Sequence, residues 1–237
     1  MNTILFDLDG TLLSMDLEEF TSCYFGLVEK CFKDSKYDPK LLVKTIYAGT
    51  NAMMKNTGSK TNEEIFWETF EEVSKISKQK IEHDFEQFYL HDFQMIKDRV
   101  VINPAIVEAI EILKQKGYRM ICSTNPLFPS IASHSRLKWS GVDPSAFDYV
   151  TTFEDFHYCK PNPQYFEEVL KKYNIDPTKC IMVGNDAQED GAVQALQIPL
   201  YLINDHLINR NNAPISACWC DDSKAFLELV KTFAYVK

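Results

Sequence analysis

The apolar positions of this chain keep two different rhythms on either side of about residue 100. Between Asp16 and Arg99 they recur at i, i+3, i+4 or i+7, as in Phe20/Tyr24/Leu27/Val28, Leu42/Ile46, Phe66/Phe70/Val73 and Ile81/Phe85/Phe88. That spacing lines one face of an α-helix, so the stretch reads as a helical bundle. Thr61-Asn62-Glu63-Glu64 has the form of a capping box at the start of the third helix. Pro39 suits the first turn of the second, where a missing N–H costs no helical hydrogen bond.

From Asn103 onward, strand-like and helix-like segments alternate, which is the pattern of a parallel sheet covered by helices on both faces. Asn103-Pro104 opens a helix that Gly117 ends, and Arg119 to Ser123 reads as a strand. A helix is predicted from Leu127 to Trp139, a strand from Phe147 to Thr152, and a helix opening at Asn162-Pro163 with Phe166, Val169, Leu170 and Tyr173. Cys180 to Val183 and Pro199 to Ile203 supply two more strands, and the terminal helix places Phe226, Leu229, Val230 and Phe233 on one side. With the run Thr3 to Phe6, five parallel strands are expected, and the helical bundle is inserted after the first.

At 237 residues the chain exceeds the usual domain size of about 100–150, in keeping with a core plus an insertion. A net charge of −9 argues against nucleic acid as a partner, because phosphate backbones are bound by clustered Lys and Arg. It leaves room for a small phosphorylated substrate, since one local cation can reverse the potential inside a cleft. No apolar stretch approaches the roughly 20 residues that span a bilayer, and Met1-Asn2-Thr3 lacks the basic start of a secretory signal. The expectation is a cytoplasmic protein with no membrane partner, as a monomer or homodimer. The seven cysteines are odd in number and scattered, which favours reduced packing residues. Cys218-Trp219-Cys220 has no paired Cys or His cluster to complete a zinc site. The five histidines show no ligand spacing and are given no role.

Ligands of open α/β sheets bind beyond the carboxyl ends of the strands, and there the chain places its chemistry-bearing residues. Asp7-Leu8-Asp9-Gly10-Thr11 follows the first strand, so the period-two alternation lets Asp7 and Asp9 share a cavity while Leu8 packs. Gly10 permits a tight turn and Thr11 offers a hydroxyl. Ser123-Thr124-Asn125 follows the second strand, Lys160-Pro161 precedes a later helix, and Gly184-Asn185-Asp186 follows the fourth strand with Asp190 one turn on. Taken singly, each could be a cap, a turn or a solvated charge. Their joint placement at strand ends is what carries meaning.

With these residues, over nearly its whole length, the chain resembles the haloacid dehalogenase-like hydrolase superfamily. Asp7-Leu8-Asp9-Gly10-Thr11 looks like its first motif, Thr124 its second, Lys160 within Lys160-Pro161-Asn162-Pro163 its third, and Asp186 with Asp190 its acidic fourth. The resemblance implies a Rossmann-like core over residues 1–14 and 99–237, and a helical C1-type cap over 15–98 hinged near Leu13-Ser14 and Arg99-Val100. Asn185 departs from the pattern by separating Gly184 from the acid, which leaves Asp186, Glu189 and Asp190 open as the fourth-motif metal ligand.

The implied activity is a Mg²⁺-dependent phosphatase acting on the phosphomonoester of a small soluble metabolite. Asp7 would be the nucleophile and Asp9 the general acid and base; Thr124, Lys160, Thr11 and Asn125 would bind the phosphoryl group. Asp7, Asp186 and the Asp9 carbonyl would hold the metal, and Asp190 would support Lys160 or a metal-bound water. Charge supports this: four carboxylates in one cleft repel by ~4 kcal/mol for each close pair at an effective dielectric near 20, and Mg²⁺ with Lys160 would offset three of those charges. Dehalogenation is disfavoured by Asp9, because a departing halide needs no proton. A phosphotransferase or mutase would keep both acids, and phosphonate cleavage would need a Schiff-base lysine such as Lys55 in the cap. A non-catalytic phosphate-binding module would have no use for the complete set of acids. A signalling receiver is normally uncapped.

Overall fold

Thr3–Phe6 (β1) is a run of four buried residues, and a strand buried on both faces belongs in the middle of a parallel sheet. The computed structural model, which describes residues 1–236, puts it there. β1 pairs in parallel with Arg119–Cys122 (β2) on one side and Cys180–Gly184 (β4) on the other. Tyr149–Val150 (β3) lies outside β2, and Leu200–Ile203 (β5) and Trp219–Asp221 (β6) extend the sheet beyond β4. The order β3-β2-β1-β4-β5-β6 reverses direction at β1, and such a reversal opens a crevice at the carboxyl ends of the strands.

The alternation of β1 sorts its side chains between two apolar layers. Ile4 and Phe6 pack with Ile106, Ala109 and Ile110 of Pro104–Gln115 (α5) and with Phe226 and Val230 of Ser223–Thr232 (α8). Leu5 faces the opposite layer, with Tyr165, Phe166 and Val169 of Pro163–Lys172 (α7). Between β1 and α5 come Leu17–Cys31 (α1), Pro39–Met54 (α2), Asn62–Ser74 (α3) and Lys78–Leu90 (α4), then a 3-10 segment from Asp92 to Arg99. Phe20, Tyr24, Trp67, Phe70, Phe85 and Phe88 fill their interior. The Thr61–Glu64 capping box opens α3, and Pro39 occupies the first position of α2.

Three elements depart from the sequence expectation. The sheet has six strands rather than five, because Trp219–Asp221 adds an edge strand. It is three residues long and half-exposed, too short to alternate visibly. Ser130–Trp139 (α6) begins three residues later than predicted, since the proline ring at 129 disfavours a helical conformation for Phe128. The strand predicted from Phe147 to Thr152 shrinks to Tyr149–Val150, although Asp148 N and Thr151 N still donate to Met120 O and Cys122 O at 2.9 and 3.0 Å. The seven cysteines are free, and no helix among the described residues is long and apolar enough to cross a membrane.

Candidate active site

Register brings the ends of three strands level: Phe6 pairs with Cys122 of β2 and with Val183 of β4. Asp7 continues that ladder, its N–H donating to Val183 O at 2.9 Å, and its side chain is nearly buried while Leu8 is fully buried. The loop then turns at Gly10, whose φ of +82° suits glycine and where a Cβ would stand 2.2 Å from Asn185 Nδ2. Thr11 Oγ1 donates to Asn185 Oδ1 at 3.1 Å, and Asn185 Nδ2 donates to His206 O at 2.7 Å. The hydroxyl of Thr11 thus ties the first loop to the fourth.

Lys160 lies beneath this loop, with 1% of its side chain exposed. Its Nζ donates to Asp7 Oδ1 at 2.8 Å and to Asp190 Oδ1 at 2.7 Å. Asp190 is committed at its other end as well, because Oδ2 accepts the N–H groups of Asn185 and Asp186 at 3.1 and 3.0 Å. The approach is possible because residue 184 is glycine: a Cβ there would lie 2.0 Å from Asp190 Oδ2. Burial works against the Lys160 ammonium, but Asp190 and Asp7 outweigh it and hold its pKa well above the ordinary lysine value. One cation shared by two carboxylates leaves Asp7 under-compensated. Burial, with Lys160 opposing and Asp190 and Asp9 adding, raises its carboxyl to about 8.

Asp9 has a partner of its own. Its Oδ2 accepts from Arg136 Nη1, and the Arg136 side chain is 1% exposed, with its guanidinium 4.4 Å from the Phe128 ring centroid and 5.5 Å from that of Phe20. Asp9 Oδ1 is buried with no hydrogen-bond partner. Thr124 is buried at the end of β2, and its carbonyl accepts from Thr151 Oγ1 at 2.6 Å and Tyr165 Oη at 2.9 Å. Asn125 joins three loops: Nδ2 donates to Lys160 O at 3.3 Å and Glu189 Oε2 at 3.0 Å, and Oδ1 accepts from Lys160 N at 3.2 Å. Asp186 Oδ1 accepts from the N–H groups of Gln188 and Glu189 at 2.9 and 2.8 Å, while Oδ2 takes Arg210 Nη1 at 2.6 Å. Arg210 also reaches Glu189 Oε1 at 3.2 Å.

Asp7, Asp9, Thr124, Asn125, Asp186 and Asp190 all line one cavity of about 720 Å³ that extends up among α1–α4. The donor chemistry suits a hard divalent cation: Asp7 and Asp186 offer carboxylate oxygens, and Asp7 is buried beside two further acids with one shared cation. Among the described residues no three His, Cys, Asp or Glu side chains are gathered as a ready metal cage. Arg210 occupies the Asp186 oxygen that such a cation would need, and with 43% of its side chain exposed it has solvent to swing into when that oxygen is taken. Both oxygens of Asp190 are engaged by Lys160 and two backbone amides, whereas Asp186 Oδ2 and Glu189 Oε1 meet the half-exposed Arg210.

Residues 1–193 match the model of the haloacid dehalogenase-like hydrolases. The chain belongs to that family. Among curated proteins it is similar to pyrophosphatase PpaX of Bacillus cereus (strain Q1), with 25% identity over 187 residues, 78% of this chain and 75% of the relative. Its fold is shared with a HAD phosphatase from Thermococcus onnurineus, at TM-score 0.61 and 18% identity over the full length of both chains. It is also shared with a predicted phosphoglycolate phosphatase from Haemophilus somnus 129pt, at TM-score 0.57 and 19% identity over 97% of each.

Several groups in the site of this hydrolase carried no signal in its sequence. Arg136 sits in Ser-His-Ser-Arg-Leu-Lys-Trp, where a charged residue reads as solvated. Arg210 lies in a loop without regular periodicity, and Tyr165 reads as apolar packing in α7. His206, given no role from sequence, supports the loops through Asn185 and through a 3.0 Å contact between its Nε2 and Ser14 Oγ.

Proposed function

We propose that this hydrolase is a Mg²⁺-dependent phosphatase that cleaves a small phosphomonoester through an aspartyl-phosphate. The observation that carries the reading is the buried triad Asp7–Lys160–Asp190 at the end of the central strand. A nucleophilic carboxylate next to a fixed cation is what phosphoryl transfer requires, because the chemistry depends on positioning and on compensating charge. Asp7 and Asp186 by side chain and Asp9 by its carbonyl are the groups that would hold the cation. When bound, it would neutralise the incoming phosphate and polarise a phosphoryl oxygen.

An Asp7 carboxylate oxygen forms a bond to phosphorus as the bond from phosphorus to the ester oxygen breaks, and the departing alkoxide takes a proton from Asp9. Water then attacks the acyl-phosphate, gives a proton to Asp9 and releases inorganic phosphate with the Asp7 carboxylate restored. Asp9 Oδ1, buried and without a partner, is the atom free to exchange that proton while Arg136 fixes Oδ2. Thr124 and Lys160, with Thr11 and Asn125 bracing the loops, hold the phosphoryl oxygens in place. Residues 15–98 serve as the cap that excludes water and meets the leaving group.

Asp7→Asn removes the nucleophile without changing shape, and turnover is expected to fall by a factor on the order of 10³ or more. Rapid acid quenching with ³²P-labelled substrate should trap label on the wild-type chain and none on the variant. Undiminished turnover by Asp7→Asn, or sustained turnover with no trapped label, would overturn the proposal.

A further inference from the structure

The cavity above the carboxylates is walled by aromatic rings drawn from separate helices. Phe20 and Phe25 come from α1, Phe66 and Trp67 from α3, and Phe128 and Phe153 from the loops after β2 and β3. At about 720 Å³ it is large enough for a drug-sized body, since ligand pockets run to about 300–1,000 Å³. Positive charge is scarce on this wall. Among the described lining residues the one Lys or Arg is Arg136, and it is already paired with Asp9. Negative charge is present: Glu63 and Glu82 share Lys78 at 2.8 and 3.3 Å, and Glu154 uses Oε1 to accept from Ser130 N at 2.8 Å while its Oε2 is buried without a partner.

We infer that the substrate is the monophosphate of an aromatic or similarly flat apolar alcohol carrying no second anionic group. The inference rests on the phosphatase reading and narrows it. Flat apolar bodies gain from ring-on-ring contact and from leaving water for an apolar wall. A second phosphate or a carboxylate held among the rings would meet a wall whose one cation among the described lining residues, Arg136, is paired with Asp9, and whose Glu154 carries an unpaired carboxylate oxygen, and an uncompensated buried charge is strongly disfavoured. Inorganic pyrophosphate and phosphoglycolate both bring such a group. This cavity therefore separates the chain from the substrates named for the PpaX relative and for the Haemophilus structure.

The test compares 1-naphthyl phosphate, glycerol 3-phosphate, phosphoglycolate and inorganic pyrophosphate with Mg²⁺ present. The kcat/KM for 1-naphthyl phosphate is expected to exceed those for phosphoglycolate and pyrophosphate by on the order of 100-fold. Equal or reversed preference overturns the inference while leaving the phosphatase reading intact. Calorimetric binding of the same compounds to Asp7→Asn reads the cavity without chemistry. Tight, selective binding of 1-naphthyl phosphate with no turnover by the wild type would sink the phosphatase reading and uphold the selectivity, and non-selective binding would sink the inference. Thr50→Lys places a cation on the half-exposed α2 wall and is expected to narrow the naphthyl preference about tenfold. An unchanged ratio counts against the inference.

Discussion

The strand ends and the aromatic wall face each other across one cavity but are built in different ways. At the strand ends, Asp7 follows β1 directly and Asp190 is clamped by amides at 185 and 186 just beyond β4, so short sequence neighbourhoods place these acids, while Lys160 and Arg136 reach the acids from distant segments. The wall is less local still. Phe25 stacks on Tyr47 at 4.2 Å, and Phe66 packs against Phe153 at 6.1 Å, so its shape emerges only when distant segments pack. The acids are placed by short sequence neighbourhoods, whereas their cations and the aromatic wall are brought in by tertiary structure.

The largest expected effect comes from breaking the strand-end network. Lys160→Ala leaves Asp7 and Asp190 without their shared cation in a buried site, and unfolding in denaturant should show a loss of about 3–5 kcal/mol together with abolished activity. Breaking the packing behind the wall, where Phe70 meets Phe66 and Trp67, separates the two properties. Phe70→Ala, at a fully buried position in α3, should cost about 3–4 kcal/mol by the same measurement, yet leave kcat per folded molecule within a few fold.

This division also explains what could be read from the amino acids alone. The Asp7–Thr11 loop, the strand after residue 118 and the α3 capping box depend on neighbours in sequence, and each lies where periodicity and turn chemistry put it. The Arg136 contact spans 127 residues, and no pattern inside α6 distinguishes a buried guanidinium from a surface one. The edge strand at Trp219 was hidden because pairing with β5, rather than its own alternation, makes it a strand. The late start of α6 was within reach, since Pro129 carries the steric reason in its ring.

Smaller changes sharpen the comparison. Thr61→Ala removes one half of the α3 capping box and should lower stability by about 1 kcal/mol, detected as a lower denaturant midpoint without a change in kcat. Arg210→Ala should alter stability by less than about 1 kcal/mol, because the arginine itself is half-exposed and Asp186 keeps two backbone amide donors without it. By freeing an Asp186 oxygen it should instead lower the Mg²⁺ concentration needed for half-maximal turnover several fold, and a titration after chelation would measure this.

Phe20, Tyr24, Phe70 and Phe88 of the helical insertion belong to the same apolar cluster as Ile4 and Phe6 of the central strand. The two regions therefore share an interior, and neither can melt without stripping the other of neighbours. Thermal unfolding should accordingly register as one cooperative transition, and slowly exchanging amides should run continuously from α1 into β1. Any opening that admits a ligand must be a small rearrangement of loops and side chains, because a wide swing would expose the common interior to water.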